Sequence, residues 1–227
     1  MRIRRCGFVV GRFVVGPQPG KHELDASMNS ITAWKSRRAG DNPFAVHRTE
    51  AISYRFENGD WDSFVATLES SGNRGALVGR QGSGKTTLML ELNERLLKEG
   101  RSTQYWFVPR EPEEIRHEWK MKLASAEADA VFLVDGIERM SLLGREHLFW
   151  KTKRFGGLVV TVHRPCRLRT LIRCRTSPLL LRQILETLDY EGPEFEALAV
   201  ELWRQHQGNI RDALRQLYDD WAVGKIG

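Results

Sequence analysis

Residues 76–90 read Ala76-Leu77-Val78-Gly79-Arg80-Gln81-Gly82-Ser83-Gly84-Lys85-Thr86-Thr87-Leu88-Met89-Leu90. The middle of this stretch, Gly79 to Thr86, satisfies the phosphate-binding pattern G-x-x-x-x-G-K-[ST] at each fixed position. A short apolar run enters it and a helical pattern leaves it, so strand, glycine loop and helix follow one another. In that context the pattern has a mechanism. Backbone N–H groups of the loop can wrap phosphate oxygens, and the helix start adds its positive dipole end. Gly82 and Gly84 permit the backbone angles that such a nest needs. Read this way, Gly79, Arg80, Gln81, Gly82, Ser83, Gly84, Lys85, Thr86 and Thr87 form the nucleotide cradle. Lys85 is expected to reach the outer phosphates, and Thr86 to offer its hydroxyl to Mg²⁺.

The flanks extend the same alternation. Asp60 is a plausible N-cap for a helix whose Trp61, Phe64, Val65 and Leu68 share one face. Ala51 to Phe56 alternates weakly and reads as an edge strand. Beyond the glycine loop come a helix to about Lys98, a strand over Gln104–Val108 and a helix from Glu111 to about Glu127. Ala130–Val134 and Gly157–Val162 are continuous apolar runs, as expected of buried parallel strands, with a helix over Ser141–Trp150 between them. Leu168–Cys174 reads as a fifth strand. The expected fold is α/β, a three-layer sandwich on a mostly parallel five-stranded sheet with right-handed crossovers. After Thr176 the pattern is helical only, with starts at Pro178 and Pro193 and a last helix separated off by Gly208-Asn209. The organisation expected is a flexible basic extension over 1–41, an α/β domain over 42–176 and a small all-helical lid over 177–227. Residues 36–43 read as the linker into the folded part, and Met28 offers a second start besides Met1.

Three cysteines (Cys6, Cys166, Cys174) form no C-x-x-C pair and leave one over, which points to a reducing cytoplasm. No apolar run approaches membrane-spanning length. Arg12 breaks the apolar stretch after Arg2, Arg4 and Arg5, which argues against a signal peptide. The net charge of +6 is uneven. From His147 to Leu185 there is no Asp or Glu, while nine basic residues lie between Lys151 and Arg182. That 151–182 segment could face nucleic acid, or it could be a solvated face with internal ion pairs.

Candidate chemical residues fall where apolar strands end, and ligands of such sheets bind at the carboxyl ends of strands. Asp135 follows Val131-Phe132-Leu133-Val134 and is expected to hold Mg²⁺ through water. Glu138 is the nearest carboxylate that could orient water against a terminal phosphate; a simple surface carboxylate is the alternative. His163 and Arg164 compete to report the terminal phosphate, with Arg164 preferred because guanidinium stays charged and forks onto phosphate oxygens. Arg211, at the start of the last helix, could couple phosphate loss to lid motion; a solvated helix face is the alternative. The histidines and cysteines show no metal-ligand spacing.

Gly79–Thr87 together with Val131–Asp135 resembles the P-loop NTPase superfamily, and the order of elements resembles its AAA+ and STAND ATPases. Asp135-Gly136-Ile137-Glu138 is similar to the acidic motif of NACHT-type STAND proteins, which implies a catalytic role for Glu138; Arg139 departs from that motif. Leu158–Pro165 is similar to the STAND sensor strand, with His163 making the spacing before Arg164 one residue longer. Asn42–Ile52 resembles the box beside the adenine in these families. Gly208-Asn209-Ile210-Arg211 looks more like an AAA+ lid with its second sensor arginine than like a STAND lid. The resemblance spans residues 42–222 and implies ATP and Mg²⁺ as ligands of a slow ATPase that acts as a nucleotide-driven switch. Three alternatives stay open: a non-hydrolysing ATP-binding module, a nucleic-acid-associated AAA+ helper and a small-molecule kinase. An unknown protein partner and a homo-oligomer are also compatible, and ATP is preferred to GTP only by default.

Overall fold

The apolar run before the glycine loop becomes β1 (Arg74–Gly79), an interior strand of the sheet, second from one edge. The computed structural model describes residues 39–190 and 195–226. The N-terminal extension up to residue 38, the choice between Met1 and Met28, Cys6 and the Pro193 helix start all lie outside the described residues. In chain order the remaining elements are α1 (Val46–Glu50), α2 (Trp61–Ser70), β1, α3 (Lys85–Lys98), β2 (Thr103–Phe107), α4 (Pro112–Ser125), β3 (Val131–Asp135), α5 (Leu142–Lys151), β4 (Gly157–Val162), β5 (Thr170–Cys174), α6 (Pro178–Thr187), α7 (Phe195–Gln205) and α8 (Ile210–Ala222). A single 3-10 turn, Ile137–Arg139, follows β3, and another, Thr152–Arg154, follows α5.

All five strands are parallel, in the order β2-β3-β4-β1-β5. Parallel neighbours require crossovers, and the helices supply them on both faces. On one face α2 and α3 bury Phe64, Leu68, Leu88, Met89, Leu92 and Leu96 against Leu77, Leu133 and Val159. On the other face α4 and α5 bury Trp119, Leu148 and Phe149 against Phe132, Val134 and Val160. Covering both faces explains why β3 and β4 are apolar without alternation: every residue of each is buried. Each large apolar side chain so buried contributes about 1.5–3 kcal/mol.

Local signals set the element ends. Asp60 caps α2 reciprocally: its carboxylate accepts from Ser63 N, and Ser63 Oγ accepts from Asp60 N. Ser141 and Ser177 cap α5 and α6 as simple acceptors.

Two expectations need correction. Ala51–Phe56 is irregular rather than an edge strand. Its Tyr54 N–H is satisfied by the Glu91 carboxylate of α3, so it adds nothing to the sheet. Nor is the stretch up to Pro43 a free linker, because Asn42 is fully buried. Asn42 Nδ2 donates to Tyr218 O at 3.0 Å, and its Oδ1 accepts from Phe44 N at 2.9 Å. Phe44 enters a third core with Leu181, Leu185, Leu202 and Leu217 of α6, α7 and α8. Phe44 and Ile52 thus pack with the C-terminal helices, whereas Tyr54 and Phe56 pack against the core between the sheet, α2 and α3.

Candidate functional site

The site lies at the carboxyl ends of β1, β3 and β4. The glycine loop leaves β1 at Gly79 and enters α3 at Lys85. Gly82 has φ +72° and Gly84 φ +81°, a region that side-chain-bearing residues rarely adopt. Ser83 N donates to Arg80 O at 3.3 Å. Among the described residues the amides of Gln81, Gly82, Gly84, Lys85, Thr86 and Thr87 donate to no protein acceptor. The loop therefore presents a concave run of donors at a helix start.

Lys85 is largely buried at the centre of this run. Its Nζ donates to Gly79 O and to Arg80 O, both at 2.7 Å. An ammonium has three N–H donors, so one remains. Burial pushes the Lys85 pKa below its usual 10.5, against the pull of Cys174, Glu138 and Asp135; Arg211 also lowers it. Glu138, Asp135 and Arg211 therefore all lie within electrostatic reach of this ammonium.

Asp135 is 4% exposed and makes two hydroxyl contacts. Its Oδ2 accepts from Thr86 Oγ1 at 2.7 Å, and its Oδ1 from Thr161 Oγ1 at 2.5 Å. Thr161, on β4, also accepts from Gly136 N at 2.8 Å. Glycine loop, β3 and β4 are thus tied together through one carboxylate and two hydroxyls.

Glu138 sits on the 3-10 turn after β3. Its Oε1 is buried, has no hydrogen-bond partner and lies 3.7 Å from His163 Nδ1. The turn is clamped by Arg145 of α5. Arg145 Nε donates to Ile137 O and Met140 O, and its Nη2 to Glu138 O at 2.9 Å. Arg139, the departure from the acidic motif, makes contacts of its own. Its Nη1 donates to Val108 O, and its guanidinium lies 4.4 Å from the Phe107 ring centroid. It joins β2 to β3 at their carboxyl ends.

The structure brings His163 rather than Arg164 to Glu138. Arg164 is exposed on the rim of a cavity of about 560 Å³ that it shares with Glu138, His163 and Phe149. Arg211 is exposed at the start of α8.

The C-terminal helical segment touches the loop directly. A Cβ on Gly82 would overlap Asn209 Oδ1, and one on Gly84 would lie 3.2 Å from the Tyr54 ring. Asn209 caps α8 through Asp212 N and, with Arg80, Gln81, His206 and Asp212, lines a cleft of about 430 Å³. Thr176, at the junction of β5 and α6, donates to Gly208 O at 2.8 Å and accepts from Trp203 Nε1 at 3.2 Å. Burial raises the Tyr54 and Cys174 pKa values beneath the loop, so both groups stay protonated.

The sequence does not mark Tyr54, Arg145 or Asn209 as site residues. Thr161 carries a signal: a hydroxyl in the wholly buried strand Leu158-Val159-Val160-Thr161-Val162 requires a partner. Comparison with protein-family models found no match, and comparison with curated proteins found none either. Among the described residues no helix is long and apolar enough to cross a membrane.

Thr86 and Asp135 offer hard oxygen donors within 2.7 Å of each other, which suits Mg²⁺. Among the described residues no group of three or more His, Cys, Asp or Glu could hold a metal unaided. Such a site fits a magnesium ion that arrives with phosphate oxygens and water.

Proposed function

We propose that this chain is a P-loop NTPase of the AAA+/STAND kind, which binds Mg·ATP at Gly79–Thr87 and hydrolyses it slowly as a conformational switch. One observation carries the reading: Thr86 Oγ1 meets Asp135 Oδ2 at 2.7 Å beside the buried ammonium of Lys85. That is the arrangement a triphosphate with its metal demands of a protein. The free amides of the loop and the third N–H of Lys85 hold phosphate oxygens. Thr86 and Asp135 hold Mg²⁺, which would neutralise charge on the phosphoryl group.

Glu138 is the acceptor that orients water. Its buried Oε1 lacks a hydrogen bond, and Arg145 fixes the turn that carries it. Arg164 and Arg211 supply positive charge at the rim and on the lid. The lid responds because Asn209 touches Gly82. Between Gly100 and Gly156 the chain holds only β2, α4, β3, α5 and two 3-10 turns. It has no inserted lid of the sort that shields a kinase acceptor, which supports water as the acceptor.

Calorimetric titration tests the reading. Mg·ATP should release heat and raise Tm, with Mg·GTP weaker. Lys85→Ala should cost at least about 100-fold in affinity, roughly 3 kcal/mol. Glu138→Gln should keep binding and lose about 100-fold in turnover. No heat and no thermal shift with either nucleotide overturns the proposal. Unchanged turnover in Glu138→Gln removes Glu138 from the reaction.

A further inference from the structure

Helix α5 buries Leu148 and Phe149 against the sheet. Its opposite face is bare. Leu143, His147 and Trp150 stand at i, i+4 and i+7, so they share one stripe, and all three are exposed. Leu143 is 84% exposed and Trp150 62%. With Leu142 also exposed, α5 holds three large apolar side chains this open, which is unusual at an ordinary solvated face.

The surroundings are cationic. Lys151 Nζ lies 4.7 Å from the Trp150 ring centroid, and the His147 ring centroid is 6.3 Å away. Lys153 and Arg154 are exposed on the turn that follows, with Arg154 lying 4.8 Å from the Phe155 ring centroid. Of the nine basic residues between Lys151 and Arg182, only Arg167 and Arg182 pair with carboxylates among the described residues. The α5 carboxylate, Glu146, is the one already taken by Arg167. The alternative for this segment, a face neutralised by internal ion pairs, therefore fails where α5 ends.

We propose that this end of α5 and the turn after it bind single-stranded nucleic acid. Unpaired cations choose the phosphate backbone. An exposed indole beside them chooses an unstacked base, which a duplex does not offer. Lys151 lies over the Trp150 ring, a cation–π contact that adds to the positive potential there. The surface is separate from the glycine loop. As a crossover helix, α5 starts beside the site at Ser141 and ends at the amino side of β4, so Trp150, Lys153 and Arg154 lie at the far end of the sheet.

The test uses the full chain and a fluorescein-labelled oligothymidylate of about 15 nucleotides, followed by anisotropy across a salt series. Binding should weaken as salt rises. Trp150→Ala should lose roughly ten-fold in affinity with an unchanged salt slope. Lys153→Ala with Arg154→Ala should reduce the slope by about 0.7 per contact removed. A duplex of equal length should compete poorly. Lys85→Ala should bind the oligonucleotide as the unmodified chain does, so failure at the nucleotide site and failure here read separately. No binding at low salt overturns the proposal and leaves the stripe to a protein partner. Equal binding by the Trp150 and Lys153/Arg154 variants, or equal competition by duplex, overturns it as well.

Discussion

The two ends of the sheet use positive charge in opposite ways. At the carboxyl end three cations are spent on backbone: Lys85 on Gly79 O and Arg80 O, Arg139 on Val108 O, Arg145 on three carbonyls around Glu138. At the amino end Arg74 donates to Thr152 O, while Lys153 and Arg154 stand in solvent without a carboxylate. A cation bonded to carbonyls fixes geometry around a small ligand. A cation left in solvent acts through its field, over a length that salt controls. On the two proposals above, the first end would serve a defined site and the second a long, repetitive polyanion.

Glycine substitution should break the contrast most sharply. Gly82 and Gly100 have nearly equal angles, φ +72° and +74°, so alanine strains both backbones alike. At Gly100, on the amino side, an added Cβ meets nothing within 4 Å; at Gly82 it overlaps Asn209 Oδ1. Gly100→Ala should cost about 1 kcal/mol, and Gly82→Ala about 2–3 kcal/mol together with nucleotide binding. Adding Asn209→Gly should restore about 1 kcal/mol to the Gly82 variant, since glycine remains an adequate N-cap. Equal losses at the two glycines in chemical denaturation would mean that the lid does not press on the loop.

A smaller effect compares two buried threonines. Thr161→Val leaves Asp135 Oδ1 and Gly136 N without their shared partner, and should cost about 2 kcal/mol, or some 4–8 °C in Tm. Thr152→Val removes a hydroxyl that only donates to Leu148 O and Phe149 O in the last turn of α5, and should cost about 1 kcal/mol or less. Thermal melts of the pair would sharpen the comparison, and the reverse order would refute it.

The smallest expected effect is a pH slope. Burial holds the Lys85 pKa below 10.5, so the folded chain sheds this proton at a lower pH than the unfolded chain does. Between the two values the unfolded state binds more protons, so stability rises with pH; above 10.5 the contribution is constant. Lys85→Met should remove that rise from a plot of Tm against pH. A slope unchanged by the substitution would place the titration elsewhere.

Much of the α/β core was legible because its signals are local. The glycine spacing, the unbroken apolar runs of β3 and β4 and the cap at Asp60 depend on residues close in sequence. Strand order was not legible, since it rests on which strands the crossovers skip. The irregular Ala51–Phe56 segment looked like a strand because Glu91, its actual partner, lies on α3, 37 residues from Tyr54. Within the site, Lys85, Thr86 and Asp135 could be placed from pattern and strand ends. The choice between His163 and Arg164 could not. It depends on how β4 ends beside β3, and side-chain charge says nothing of that register.

The Asn42–Tyr218 hydrogen bond spans 176 residues of sequence. Phe44 fills the core formed by α6, α7 and α8, so that core cannot close until α8 has left the ribosome. During vectorial synthesis the strands can pair first, while the segment around Phe44 waits for its partners with an aromatic ring uncovered. Completion of the lid is therefore a late, long-range event in biogenesis, and an early stop before residue 218 would leave a formed sheet carrying an unsealed apolar flap.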